Sequence, residues 1–325
     1  MQKANSEAME KTNCFSLNHG GRMARRYGMM ILLILFSVGL LDVQWATGLS
    51  KSSKSKAVHK KHSSVKVKRT PRKLILRSAS ALVMDQQTGE FLVQKQSKVV
   101  LPIASITKLM TAMVVLDAQI DLEELITIEP SDVDTLCYSP SRLPVGTRLS
   151  REDALLLTLM ASENRAAHAL GRTYPGGPEA FVIAMNAKAR SLGLSKTHFE
   201  DSSGLSNGNT SSAQDLALMA DAAYHYKLVR EFTTMEEAAI HSGRRTLEFH
   251  NTNRLIRNPR WQIGLSKTGF TNEAGRCLVM QASVAQRSLL IVLLDAQGRL
   301  TRFADAKRIK QWIEGQPPAR KNREG

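Results

Sequence analysis

The sequence predicts an α/β (α+β) fold, an antiparallel sheet of about five strands flanked by helices, with a mostly helical subdomain inserted in its middle. Three observations lead there. Two strand-like runs joined by a Gly-containing turn sit near residue 80, three more lie beyond residue 260, and the stretch from 122 to about 226 has helical periodicity. Strands from both ends can share a sheet only if the chain leaves and returns, and a cleft forms where such parts meet.

At the front, Arg22, Arg25 and Arg26 precede the apolar run "MMILLILFSVGLL" at residues 29–41, which then meets Asp42 and Gln44. That run is shorter than the roughly 20 residues that cross a bilayer. With small residues at 46–48 it reads as a secretory signal over 1–48, Met23 being a second candidate start. Residues 49–73 hold ten Lys or Arg and no acid, so most of the formal +16 sits there and the body is near neutral. A Ser/Lys tract without an apolar face is expected to stay disordered. It is a spacer or a contact for an anionic envelope surface; no aromatic residue interleaves its lysines, which argues against nucleic acid.

The body spans 74–316, ahead of a disordered tail at 317–325. "ASALVMD", "QQTG" and "EFLVQKQ" give a hairpin over 79–96, and "PIASITKLMTAMVVLDA", residues 102–118, reads as an amphipathic helix. "REDALLLTLMASENRAAHALGR" and "GPEAFVIAMNAKARSLG" continue the helical spacing, and "SSAQDLALMADAAYHY" opens on a Ser cap. "WQIGLSKTGF", "RCLVMQASVA" and "RSLLIVLLDA" are strands, and "RFADAKRIKQWIEG" closes as a helix. Of three cysteines, Cys14 lies in the signal; Cys137 and Cys277 could pair in an oxidising compartment, while a buried thiol at Cys277 within "CLVM" is the favoured reading. No segment has metal-ligand spacing.

Ser105 and Lys108 stand three apart, so on a helix they share a face. A serine hydroxyl is a poor nucleophile unless a base takes its proton. Lysine serves as that base only when neutral, and burial and the positive end of a helix dipole both push its pKa down. The pattern SxxK alone is weak, since Ser53 with Lys56 and Ser63 with Lys66 repeat it in the basic tract. Company makes it specific: "SEN" follows at 162–164 in the helical block and "KTG" at 267–269 on a strand.

This ordered set resembles the active site of serine penicillin-binding proteins and class A β-lactamases. "LMASENRAA", "YPGG", "FVIAMNAKA", "HNTNRL" and "LSKTGFTNEAGRCLVM" resemble, more closely, the D-alanyl-D-alanine endopeptidases of the low-molecular-mass penicillin-binding protein 7/8 type, across residues 77–314. The resemblance implies a periplasmic serine D,D-peptidase without cofactor or metal, acting on peptidoglycan stem peptides and acylated by β-lactams. It implies Ser105 as nucleophile, Lys108 as its proton acceptor, and Ser162 as relay to the leaving amine, supported electrostatically by Lys267. Asn164 would hold the substrate backbone, and Thr268 would orient substrate along its strand. Gly269 would keep the approach open, and the backbone N–H groups of Ser105 and Phe270 would form an oxyanion hole.

SEN in place of SDN weakens the β-lactamase reading, and no segment stands out as a deacylating base, so a long-lived acyl-enzyme is expected. After Gly269 there is room for two strands and a helix but not for the C-terminal β-domain of related carboxypeptidases, which favours the endopeptidase. The alternatives are a D-alanyl-D-alanine carboxypeptidase and a non-catalytic wall-binding scaffold. A Ser-His-Asp reading through His168, His198 and Asp201 lacks a GxSxG elbow; His198 is expected to hold a loop. Arg165 and Asn253 are candidates for the cleft wall or for structure.

Overall fold

The computed structural model describes residues 73–242 and 245–316. The expected signal, all of the basic linker but Lys73, and the C-terminal tail lie outside the described residues. Chain order runs β1 (Ser78–Asp85), β2 (Phe91–Lys95), a short β3 (Leu101–Pro102), α1 (Lys108–Asp117), then short β4 (Leu125–Thr127) and β5 (Arg148–Ser150). Next come α2 (Arg151–Met160), α3 (Asn164–Arg172), α4 (Gly177–Ser191), a short β6 (Thr210–Ser211), α5 (Ala213–Tyr224) and α6 (Lys227–Thr234). A hairpin of β7 (Glu237–Ser242) and β8 (Arg245–His250) precedes β9 (Gln262–Thr271), β10 (Gly275–Val284), β11 (Arg287–Ala296) and α7 (Thr301–Glu314).

The main sheet has five strands in the order β2-β1-β11-β10-β9, all neighbours antiparallel. The predicted closure holds: β1 lies on β11, with Leu82 opposite Val292 and Val83 opposite Ile291. Alternation explains why β10 and β11 are apolar almost throughout. Val279, Leu290 and Val292 face the helical cluster with Leu109, Met113 and Leu216, while Leu278, Ile291 and Leu293 face Ile309 and Ile313 of α7. Both faces are covered, so neither can be polar.

Several boundaries differ from the sequence reading. The helix expected from 102 starts at Lys108: Leu101 and Pro102 pair with β6, and residues 104–107 form a 3₁₀ turn entered through Ala104 at φ +47°. The run through "SEN" is two helices, because Ser162 adopts φ +61° and the Glu163 side chain caps α3 by accepting from Arg165 N–H. The block from 122 to 226 also contains β4, β5 and β6 and long loops beside its helices. The sequence reading missed α6 and the β7–β8 hairpin, whose buried anchors Ile240 and Phe249 stand among charged neighbours. Cys137 and Cys277 are not joined, and Cys277 is a buried thiol of β10 as favoured. No helix among the described residues is long and apolar enough to cross a membrane.

Candidate active site

Lys108 opens α1 and is completely buried. Its Nζ lies 2.9 Å from Ser105 Oγ, 2.7 Å from Asn164 Oδ1 and 2.6 Å from the Ser203 carbonyl. An ammonium would donate to all three. The neutral amine has two N–H bonds, which the two carbonyl-type oxygens accept, and its lone pair then faces the Ser105 hydroxyl. Burial pushes the amine down to about 7, against the upward pull of Asp201, Glu163 and Asp134. Two further groups face it: Lys267, whose own pKa the Lys108 charge helps lower, and His168, likewise lowered by burial first and by Lys108 among the charges.

Three segments build this pocket. On the first, Ser105 is partly exposed while Ala104, Ile106 and Thr107 are buried, so the turn offers one hydroxyl to solvent. On the second, Asn164 places its carbonyl on Lys108 and donates through Nδ2 to Ser139 Oγ at 2.7 Å. The third is β9. A Cβ built on Gly269 would come within 2.8 Å of the Ile103 carbonyl and 3.2 Å of Ser105 N, so only glycine lets this strand lie against the nucleophile's turn. Thr268 hydrogen-bonds Thr252 Oγ1 at 2.7 Å, and Lys267 is buried, its Nζ donating to Thr268 O at 3.3 Å. Burial, then the charges of Lys108 and Arg302, hold Lys267 well below the usual lysine range. Phe270 is half-exposed at the rim, with the Arg276 guanidinium 4.1 Å from its ring centre.

The structure therefore joins Ser105, Lys108 and Asn164 by hydrogen bonds and Gly269 by packing. Ser162 sits on the α2–α3 loop, and among the described residues no hydrogen bond links its hydroxyl to Lys108 or Lys267. Behind the nucleophile stands a loop that sequence reasoning left without a role at the site. The Asp201 carboxylate accepts from the N–H groups of Ser203, Gly204 and Ser206 and so fixes the carbonyl that meets Lys108. Asn209 Nδ2 donates to Thr107 Oγ1, and its backbone carbonyl accepts from Ile103 N. "DSSGLS" has the composition of an Asx turn, and that was the available signal. Among the described residues no hydrogen bond joins Asp201 to His168 or His198, as a Ser-His-Asp triad would require. His198 pairs through its backbone with Thr210, holding that loop as expected. Arg165 holds the Leu143 carbonyl and Asn253 the Ser266 hydroxyl, both structural roles. Arg302 of α7, donating to the Gly269 carbonyl at 2.9 Å, was also missed. Among the described residues no cluster of His, Cys, Asp and Glu could hold a metal ion.

A Ser hydrogen-bonded to a buried Lys stands on one side of a groove, an Asn-bearing segment on the second and a Lys-Thr-Gly strand on the third. The D-alanyl-D-alanine carboxypeptidase family profile matches residues 64–298. The chain belongs to this family. Within it, the chain is 49% identical over 241 residues to a D-alanyl-D-alanine endopeptidase of Pseudomonas aeruginosa, covering 74% of this chain and 78% of that one. It is 45% identical over 239 residues to the D-alanyl-D-alanine endopeptidase of Escherichia coli, covering 73% and 77%. In three dimensions this D-alanyl-D-alanine carboxypeptidase family member is similar to the Streptomyces K15 DD-transpeptidase, with a TM-score of 0.69 and 26% identity over 73% of this chain and 97% of that one.

Proposed function

We propose that the protein is a serine D,D-endopeptidase that hydrolyses the D-alanyl cross-links of peptidoglycan through an acyl-enzyme at Ser105, and that β-lactams block it by acylating the same hydroxyl. One observation carries this reading: a wholly buried amine lies 2.9 Å from a serine hydroxyl, with its two other bonding directions already taken by carbonyl oxygens. The Ser105 proton passes to Lys108 Nζ as Oγ bonds the D-alanyl carbonyl carbon. The backbone N–H groups of Ser105 and Phe270 receive the oxyanion. Ser162 passes its hydroxyl proton to the departing amine and takes in return the proton that Lys108 carries, and the C–N bond breaks. Asn164 and Thr268 hold the substrate backbone along β9, and water then hydrolyses the ester. A β-lactam follows the same first half, its ring amide opening to leave the acyl chain on Ser105.

Export to the periplasm by the basic, apolar N-terminus belongs to this reading, as does contact of the lysine-rich linker with an anionic envelope surface. Endopeptidase action is favoured by the high identity to two proteins named for it. Purified protein incubated with cross-linked muropeptide dimers should yield monomers, and Ser105→Ala should yield none and bind no fluorescent penicillin. Intact dimers alongside pentapeptides that lose their terminal D-alanine would make it a carboxypeptidase instead; labelling that survives Ser105→Ala would end the serine-peptidase reading altogether.

A further inference from the structure

We propose that Ser139, held by Asp134, is a positioning residue for acylation: it fixes the Asn164 amide so that the lone pair of Lys108 stays on Ser105. The inference rests on the serine-peptidase reading above. A primary amide has a donor end and an acceptor end of nearly the same shape, so its neighbours decide which way it points. Asn164 Nδ2 donates to Ser139 Oγ at 2.7 Å, and Oδ1 accepts from Lys108 at 2.7 Å. Ser139 is itself held one step further out.

The Ser139 backbone N–H donates to the Asp134 carboxylate, which fixes where the hydroxyl oxygen that accepts from Asn164 Nδ2 stands. Asp134 in turn accepts from the backbone N–H groups of Leu136 and Cys137 at 2.9 Å each and of Ser139 at 2.8 Å. Burial would raise its carboxyl pKa, but these bonds together lower it, which keeps the acceptor ionised. Lys108 donates to Asn164 Oδ1, Asn164 Nδ2 to Ser139 Oγ, and the Ser139 backbone N–H to Asp134. Were the amide inverted, its N–H would face the neutral amine, and the amine could answer only with the lone pair that Ser105 requires. Ser139 thus acts through Asn164 without touching the substrate.

The test is acylation by fluorescent penicillin under single-turnover conditions on the full chain, resolving the acylation rate constant from the dissociation constant of the initial complex. Loss of a hydrogen bond of this kind predicts that Ser139→Ala slows acylation about 10- to 100-fold with little change in the dissociation constant. Ser139→Thr, which keeps the hydroxyl, should recover most of the rate. Should the alanine variant melt early, Ser139→Cys keeps the volume with a weak acceptor and should be slow for the same reason. A soluble Ala or Cys variant that acylates at the wild-type rate, a loss confined to the dissociation constant, or a Thr variant no faster than Ala would each overturn the proposal while leaving Ser105 the nucleophile. Absence of labelling in the wild type would instead remove the reading on which it rests.

Discussion

The base role proposed for Lys108 rests on the loss of water around one atom. With its amine near 7, the neutral, active form grows in as pH rises through that value and is lost below it. Penicillin acylation should therefore climb between pH 6 and 8 with a midpoint near 7; a rate still climbing at pH 9 would mean an ordinary exposed lysine. Gly204 matters through a different constraint. It sits at φ +83°, and a Cβ there would lie 2.0 Å from the Ala104 carbonyl, one residue before the nucleophile. Gly204→Ala should cost upward of about 1 kcal/mol from the backbone alone and slow acylation by moving Ser105. Denaturant unfolding and penicillin labelling check this, and an unchanged midpoint would contradict the close contact. Ser105, Lys108, Asn164 and the Lys-Thr-Gly run were legible because their types and order are local properties of the chain. Ser203 was not legible: it meets Lys108 across 95 residues, and a backbone carbonyl leaves no mark in the sequence.

Among the elements, the loop between α4 and β6 is what the helices alone would not supply. Its carboxylate, Asp201, takes three backbone N–H groups and the Ser203 hydroxyl. Asp201→Asn turns an acceptor end into a donor facing donors, and should destabilise by about 1–3 kcal/mol in a thermal melt. Asp201 also heads the charges that pull the Lys108 amine upward, so the same variant should shift the acylation midpoint to lower pH. A shift to higher pH would mean that Asp201 acts on Lys108 in some other way. Strands β10 and β11 were readable because burial on two faces writes long apolar runs; β7 and β8 were not, since each buries little beyond one anchor. The break between α2 and α3 escaped periodicity because Ser162 reverses the backbone without interrupting the apolar pattern.

At the scale of the whole molecule, the groove exists because the first and last long strands of the described residues meet in one sheet. Asp305 of α7 pins that meeting. Fully buried, it accepts from Arg77 N–H at 2.9 Å, Ser78 N–H at 2.7 Å and the Ser78 hydroxyl at 2.8 Å, more than 220 residues away. Asp305→Ala strands two backbone donors and a hydroxyl, and should lower stability by about 3 kcal/mol. Urea unfolding measures it, and a loss under about 0.5 kcal/mol, the scale of a surface change, would show that β1 is held by its sheet contacts alone.

The sequence by itself determined the order of the Ser-x-x-Lys, Ser-x-Asn and Lys-Thr-Gly residues, where the long strands run, and that early and late strands share a sheet, since side-chain type and apolar period are set within a few residues. Only the tertiary structure decided that Lys108 loses its water, which of its bonding directions faces Ser105, which amide end Asn164 presents, and that the Ser162 hydroxyl hydrogen-bonds neither lysine. Those depend on desolvation and on hydrogen-bond partners drawn from distant segments, and both exist only once the chain has closed on itself.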